Sequence, residues 1–97
     1  MEQIQVKVEF TGVSRVLTGA PEATLHLKPG ANISDVVDAL GKKFPELRGQ
    51  IIQKDGKQLI PTNVFSVNGV TILHESNLSF CPEDGDNLIL LSLLAGG

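Results

Sequence analysis

The sequence has no Trp, no Tyr, one Cys, one Met and only four Phe among its 97 residues. Each shortage removes a class of function. With so few rings there are no stacking platforms for single-stranded nucleic acid. Eight basic against eleven acidic side chains give a net charge of −3, so the basic footprint of a nucleic-acid binder is missing as well. A lone thiol cannot close an internal disulfide, and a reducing cytoplasm is the expected compartment. No apolar run approaches the roughly 20 residues that a membrane span needs. Met1-Glu2-Gln3 leads into a strand pattern rather than a basic-then-apolar leader. What the chain does have is core material. Leu, Ile, Val and Phe supply 33 of the 97 residues, enough for one globular domain over 1–97 and too little for a second lobe.

Periodicity sets out the elements. Ile4, Val6, Val8 and Phe10 alternate with polar residues and predict a half-buried first strand. Val13-Ser14-Arg15-Val16-Leu17 reads as a long irregular connection, followed by a second strand over Ala23–Leu27. Asn32 then offers a helix cap, with Asp35 placed to reach back to it and to meet the positive end of the helix dipole. Ile33, Val36, Val37, Leu40 and Phe44 form one apolar stripe at helical spacing, and Pro45 ends the run. A helix from about Ile33 to Phe44 is expected to lie on a sheet. Ile51-Ile52-Gln53 and Gln58-Leu59-Ile60 flank Asp55-Gly56 as a hairpin. Val64–Val67 and Val70–Leu73 flank Asn68-Gly69 as another. Glu83-Asp84-Gly85-Asp86 turns the chain into its most apolar strand, Leu88–Leu93.

These elements predict an α+β fold, a mixed sheet with one main helix on one face. The last strand carries almost no polar residue and is expected at the centre. Its alternate residues point to opposite faces. If Leu88 and Leu90 meet the helix, then Ile89 and Leu91, with Leu93 and Leu94 beside them, form an apolar strip on the other face. Such a strip suits partner binding. The competing expectation is that the hairpin around Asp55-Gly56 folds over the strip and buries it.

Side-chain chemistry is sparse. His26 and His74 show no metal-ligand spacing and read as surface histidines. Cys81, between Phe80 and Pro82 and close to Glu83 and Asp84, sits where acidic neighbours disfavour a thiolate, and it reads as a small apolar residue. Lys54-Asp55-Gly56-Lys57 lacks the spacing of a phosphate loop. Lys42, Lys43 and Arg48 read as a solvated helix end. Glu75, Glu83, Asp84 and Asp86 lack the order of a calcium loop. No metal site, acid/base pair or nucleophile triad stands out. The chain is not expected to be an enzyme by its own side chains.

The terminus is different. Gly96-Gly97 follows a strand that should be rigidly held, and residues without Cβ atoms can enter a narrow channel in a partner. Residues 94–97 can reach roughly 13 Å at about 3.3–3.6 Å per residue. The pair is expected to be mobile in the free protein. A carboxylate delivered in this way can be acyl-activated by another enzyme.

At these residues the sequence resembles the ubiquitin-like sulfur carriers of the MoaD/ThiS family, whose fold is the β-grasp, and with that fold the last strand is expected to run parallel to the first. The likeness covers nearly the whole chain. Arg15-Val16-Leu17-Thr18-Gly19 is similar to the family's opening hairpin, Asn32-Ile33-Ser34-Asp35-Val36-Val37 to its helix start, and Val67-Asn68-Gly69 to its Val-Asn-Gly turn. Asp84-Gly85-Asp86, an apolar strand and Ala95-Gly96-Gly97 resemble its ending. Ser92 and Leu93 stand where the family usually has prolines. The segment around Asp55-Gly56 resembles the longer members, which include carriers for molybdopterin and for cysteine synthesis.

The resemblance implies that the Gly97 carboxylate, reached through Gly96, is adenylated by an E1-like activating enzyme that uses ATP, with no cofactor bound by the carrier itself. A sulfur donor then converts it to a thiocarboxylate, which serves an acceptor synthase subunit; the chain could itself be the small subunit of such a synthase. Ile89, Leu91, Leu93 and Leu94 are the expected partner contacts. Two other classes stay open: a protein modifier that joins Gly97 to lysines of target proteins, a role that archaeal relatives combine with sulfur transfer, and a β-grasp interaction domain without terminal chemistry.

Overall fold

The computed structural model describes residues 2–73 and 78–93. Strand β1 (Ile4–Phe10) leads into helix α1 (Gly12–Thr18), strand β2 (Glu22–Leu27) and helix α2 (Ile33–Lys43). A 3-10 turn (Pro45–Leu47) follows, then strands β3 (Asn63–Val67), β4 (Thr71–Leu73) and β5 (Asn87–Ser92). The sheet order is β2-β1-β5-β3-β4. β5 lies at the centre, parallel to β1 and antiparallel to β3. Its central position is the one that the apolar run predicts, and its direction is the one expected with a β-grasp.

The helix stripe packs as the spacing requires. Ile33, Val36, Val37 and Leu40 are buried against Val6, Val8, Leu25, Phe65, Leu88 and Leu90 in one core. Each such side chain contributes about 1.5–3 kcal/mol relative to exposure. Phe44 caps the helix instead of extending it, and its ring meets Phe10 edge-on with centroids 5.3 Å apart. At the other end the capping box is complete. The Asp35 amide donates to Asn32 Oδ1 and the Asn32 amide to the Asp35 carboxylate, both at 3.0 Å. Replacing Asn32 by Ala orphans an amide of the first turn, and urea unfolding should register a loss of about 1 kcal/mol.

Two polar turns fix the register of β5. Asn68 and Gly69 take φ of 54° and 72°, the left-handed pair of a tight hairpin turn, closed by the Val70 amide on the Val67 carbonyl. The Asn68 side chain then accepts from the Asn87 amide at 2.8 Å and donates to Asp86 at 3.1 Å. From the other side Asp84 accepts the Gln5 amide at 2.7 Å, while the Gly85 amide, at φ 89°, donates to the Gln5 carbonyl. The Val-Asn-Gly and Asp-Gly-Asp motifs thus seat the start of β5 between β1 and β3.

Two expectations need correction, and a third is met only in part. Val13–Leu17 is no irregular connection: it belongs to α1, whose Thr11 and Ser14 form a capping box of their own. The hairpin over 51–60 is present but short, one bridge between Ile52 and Leu59 flanked by the Gln53 amide on the Gln58 carbonyl and the Ile60 amide on the Ile51 carbonyl. Ile51 and Ile52 are both buried, which an alternating strand facing one core cannot achieve, and both amides donate to the Leu47 carbonyl. Cys81 is exposed rather than packed, its thiol turned toward the Gly30 and Ser79 carbonyls at 3.5 and 3.4 Å.

Candidate functional site

The expected strip lies on the sheet face turned away from α2. Leu88 and Leu90 are buried in the helix-side core, so Ile89 and Leu91 project to the opposite face. Both are half-buried there. Pairing places Val64 beside Leu91, and Ser66 between Ile89 and Ile72. Val64 and Ser66 are buried; Ile72 is 44% exposed and Leu93 is 55% exposed. Ile72, Ile89, Leu91 and Leu93 therefore form the open apolar part of the face. Ile72 was not among the expected contacts, although the alternation of Thr71-Ile72-Leu73 against a buried Leu73 carries the signal.

The rest of this face is polar. Lys7 and Glu22 pair at 3.4 Å, and Asn87 Nδ2 donates to Glu9 at 3.0 Å. Among the described residues Asn87 Oδ1 is buried without a hydrogen-bond partner. The apolar strip is thus bounded on the β1–β2 side by charged and amide groups, the usual anatomy of a protein-binding patch.

The segment around Asp55-Gly56 does not cover the strip. It lies on the α2 side, where Ser34 Oγ donates to the Lys57 carbonyl at 3.1 Å. The Arg48 guanidinium comes within 3.0 Å of where a Cβ would stand at Gly41 and packs against Gly56. The basic side chains near the helix end are likewise engaged. Lys42 bonds Asp38 at 3.1 Å and holds its carboxyl below the usual carboxylate range, with Lys57 and Arg48 adding to the effect. Lys43 donates to the Thr24 carbonyl at 3.3 Å. His26 is exposed on β2, on the same face as Lys7.

At the end of β5 the two flanking strands part. The parallel pairing with β1 stops at Phe10 and Leu90, where β1 gives way to α1, and the Thr11 hydroxyl takes the Leu90 carbonyl at 2.6 Å. On the other side pairing continues to Asn63 and Ser92, and the Leu93 amide donates to the Thr62 carbonyl at 2.7 Å. Between α1 and this last stretch lies a cleft of about 200 Å³ lined by Val13, Ser14, Gln50, Leu91 and Ser92, among others. Leu94, Gly96, Gly97 and His74 lie outside the described residues. Among the described residues no group of His, Cys, Asp and Glu could hold a metal ion, and no helix is long and apolar enough to cross a membrane.

Comparison with known proteins agrees with this architecture. The small archaeal modifier protein SAMP1 from Haloferax volcanii superposes with a TM-score of 0.80 at 22% identity, over 96% of this chain and 99% of that one. SAMP1 from Methanosarcina acetivorans gives 0.78 at 28% identity over the full length of both chains. Urm1 from Trypanosoma brucei gives 0.67 at 24% identity, over 100% of this chain and 99% of that one. The five-stranded mixed sheet with its two helices is the ubiquitin-like β-grasp fold. No curated sequence is similar enough to match. The model of the ThiS family matches residues 8–97, a span that takes in α2, both register-setting turns, β5 and Gly96-Gly97. With nine-tenths of its length matched, the chain belongs to the ThiS family and is a small ubiquitin-like carrier or modifier.

Proposed function

We propose that the protein is a sulfur carrier whose working group is the carboxylate of Gly97. The observation that supports this most is the hold on β5, by β1 on one side as far as Leu90 and by β3 and the Thr62 carbonyl on the other as far as Leu93. A terminus presented from so rigid a base needs no side chain of its own. In the activating enzyme the carboxylate attacks the α-phosphorus of ATP, forming an acyl-adenylate and releasing pyrophosphate. A hydrosulfide-equivalent donor then attacks the carbonyl carbon, AMP leaves, and a thiocarboxylate remains. Its sulfur passes to a precursor held by an acceptor synthase subunit, in cofactor synthesis of the molybdopterin type or in metabolite synthesis. ATP binds the activating enzyme, and the carrier needs no cofactor. Ile89, Leu91 and Leu93 on the open face, with Leu94 beyond them, are the partner contacts. A cytoplasmic setting suits this chemistry, because thiocarboxylates survive best where thiols stay reduced.

The similarity to two archaeal modifier proteins favours one second reading, in which the same acyl-adenylate ends in an isopeptide bond with a lysine. Mass spectrometry of the protein taken from its own cells separates the two. A mass gain equal to one oxygen exchanged for one sulfur is the expected result. Lysine-linked adducts with no thiocarboxylate would establish the modifier, and an unaltered terminus under sulfur-replete growth would leave only a binding domain.

A further inference from the structure

Five large apolar side chains stand open to solvent among the described residues, and three of them gather at one end of the molecule. Leu93 leads out of the sheet. Val13 and Val16, 54% and 81% exposed, lie on α1. The Thr11 hydroxyl on the Leu90 carbonyl pins the start of this helix to β5. Ser14 is buried and Leu17 packs on the core, so Val13 and Val16, three residues apart, share the outward face. Val13 forms one wall of the cleft whose other wall is Leu91 and Ser92. Apolar side chains therefore stand on both sides of the cleft, Leu91 on the sheet and Val13 on α1, with the polar Ser14, Gln50, Asn63 and Ser92 between them. Nothing in the local fold needs Val16 to be apolar.

The reach of the tail says what covers it. Four residues follow Leu93, spanning at most about 13–14 Å. An enzyme that closes on Gly97 must bring its own surface that close to Leu93. A stable protein contact occupies about 800 Å² on each partner, a disc of about 16 Å radius. Centred near the exit of the tail, such a disc includes α1. We infer that Val13 and Val16 form the second half of the docking surface for the adenylating enzyme, across the cleft from Leu91. This rests on the reading of Gly97 as an adenylated terminus. The opposing surface of the enzyme is apolar, since α1 carries a single charged residue, Arg15.

Val70 supplies the matched control. It is 84% exposed, as open as Val16, but it belongs to the β3–β4 turn, at the end of the sheet where β5 begins. Pyrophosphate exchange by the adenylating enzyme of the same genome is measured with increasing carrier, for the unaltered protein, Val16→Asp and Val70→Asp. The expected result is a KM at least tenfold higher for Val16→Asp, with kcat within twofold and an unchanged melting temperature, while Val70→Asp matches the unaltered protein. Equal KM values for Val16→Asp and Val70→Asp overturn the inference. If Val16→Asp melts early, Val16→Gln is read in its place against the same two outcomes. An unaltered protein that supports no exchange overturns the adenylation reading itself, and with it the inference.

Discussion

Deleting Gly97 should abolish adenylation while leaving the melting curve where it was. The two halves of that result have separate causes. Among the described residues the core runs from Ile4 to Leu90, and the last backbone tie is the Leu93 amide on the Thr62 carbonyl. That core is assembled from residues before Gly97, so the fold is expected to hold without it. Activation is expected to fail. A carboxylate moved back by one residue falls about 3.3–3.6 Å short of the phosphorus it must attack. Reacting atoms have to lie about 3–3.5 Å apart for the step to proceed. Adding a residue after Gly97 fails for the same reason with the opposite sign. Pyrophosphate exchange and a thermal melt on the same preparation check both halves. Undiminished exchange by the truncated chain would sink the carrier reading.

Glu substitutions at Leu90 and Leu91, neighbours in one strand, should have opposite consequences. Leu90 is buried among Phe10, Phe65 and the stripe of α2, with no basic group in that core to pair with a carboxylate. Its replacement strands a charge in an apolar interior, a penalty comparable to the whole stability of about 5–15 kcal/mol of a typical domain. Leu90→Glu should not fold. Leu91 faces the other way, half-buried beside Val64 and opening onto the cleft below α1. Its carboxylate can turn to water, so Leu91→Glu should fold with a modest drop in melting temperature and bind the activating enzyme at least tenfold more weakly. Circular dichroism and binding titration test the pair. Should Leu91→Glu unfold as fully as Leu90→Glu, Leu91 belongs to the core and leaves the docking surface.

The parts of the fold legible in the sequence are those where one side chain has one job. The α2 stripe, its Asn32/Asp35 cap and the apolar β5 are of this kind, and the structure has each of them where periodicity puts it. α1 was illegible because its seven residues complete barely two turns and carry two exposed valines, so no amphipathic period can emerge. Its cap uses Ser14 in place of the usual Glu or Gln three residues after Thr11. The segment around Asp55-Gly56 misleads for another reason. Its turn is real, with the Gln53 amide on the Gln58 carbonyl, but it is held to α2 by Ser34 and Arg48 rather than closed by a long ladder. At the candidate site, alternation along β5 was enough to place Ile89 and Leu91. It could not supply Ile72, whose signal lies in the alternation of β4 and whose place beside β3, next to β5, follows from the sheet order, nor Val13, which reaches the cleft through the position of α1.

The parallel pairing of β1 with β5 also bears on synthesis. Lys7 finds its partner only at Asn87, and Phe10 only at Leu90. A nascent chain on the ribosome must carry its first strand with one edge unfilled until residues 87–90 have been made. Contacts this remote along the chain slow folding, because the loop they close must lose its freedom before the pairing stabilises it. Until then β1 and β3 have no common neighbour, and an interrupted translation product exposes apolar strand edges that chaperones and proteases recognise. A chain that stops short of β5 leaves β1 and β3 each with an open edge, so losing this one strand and losing the whole sheet are the same event.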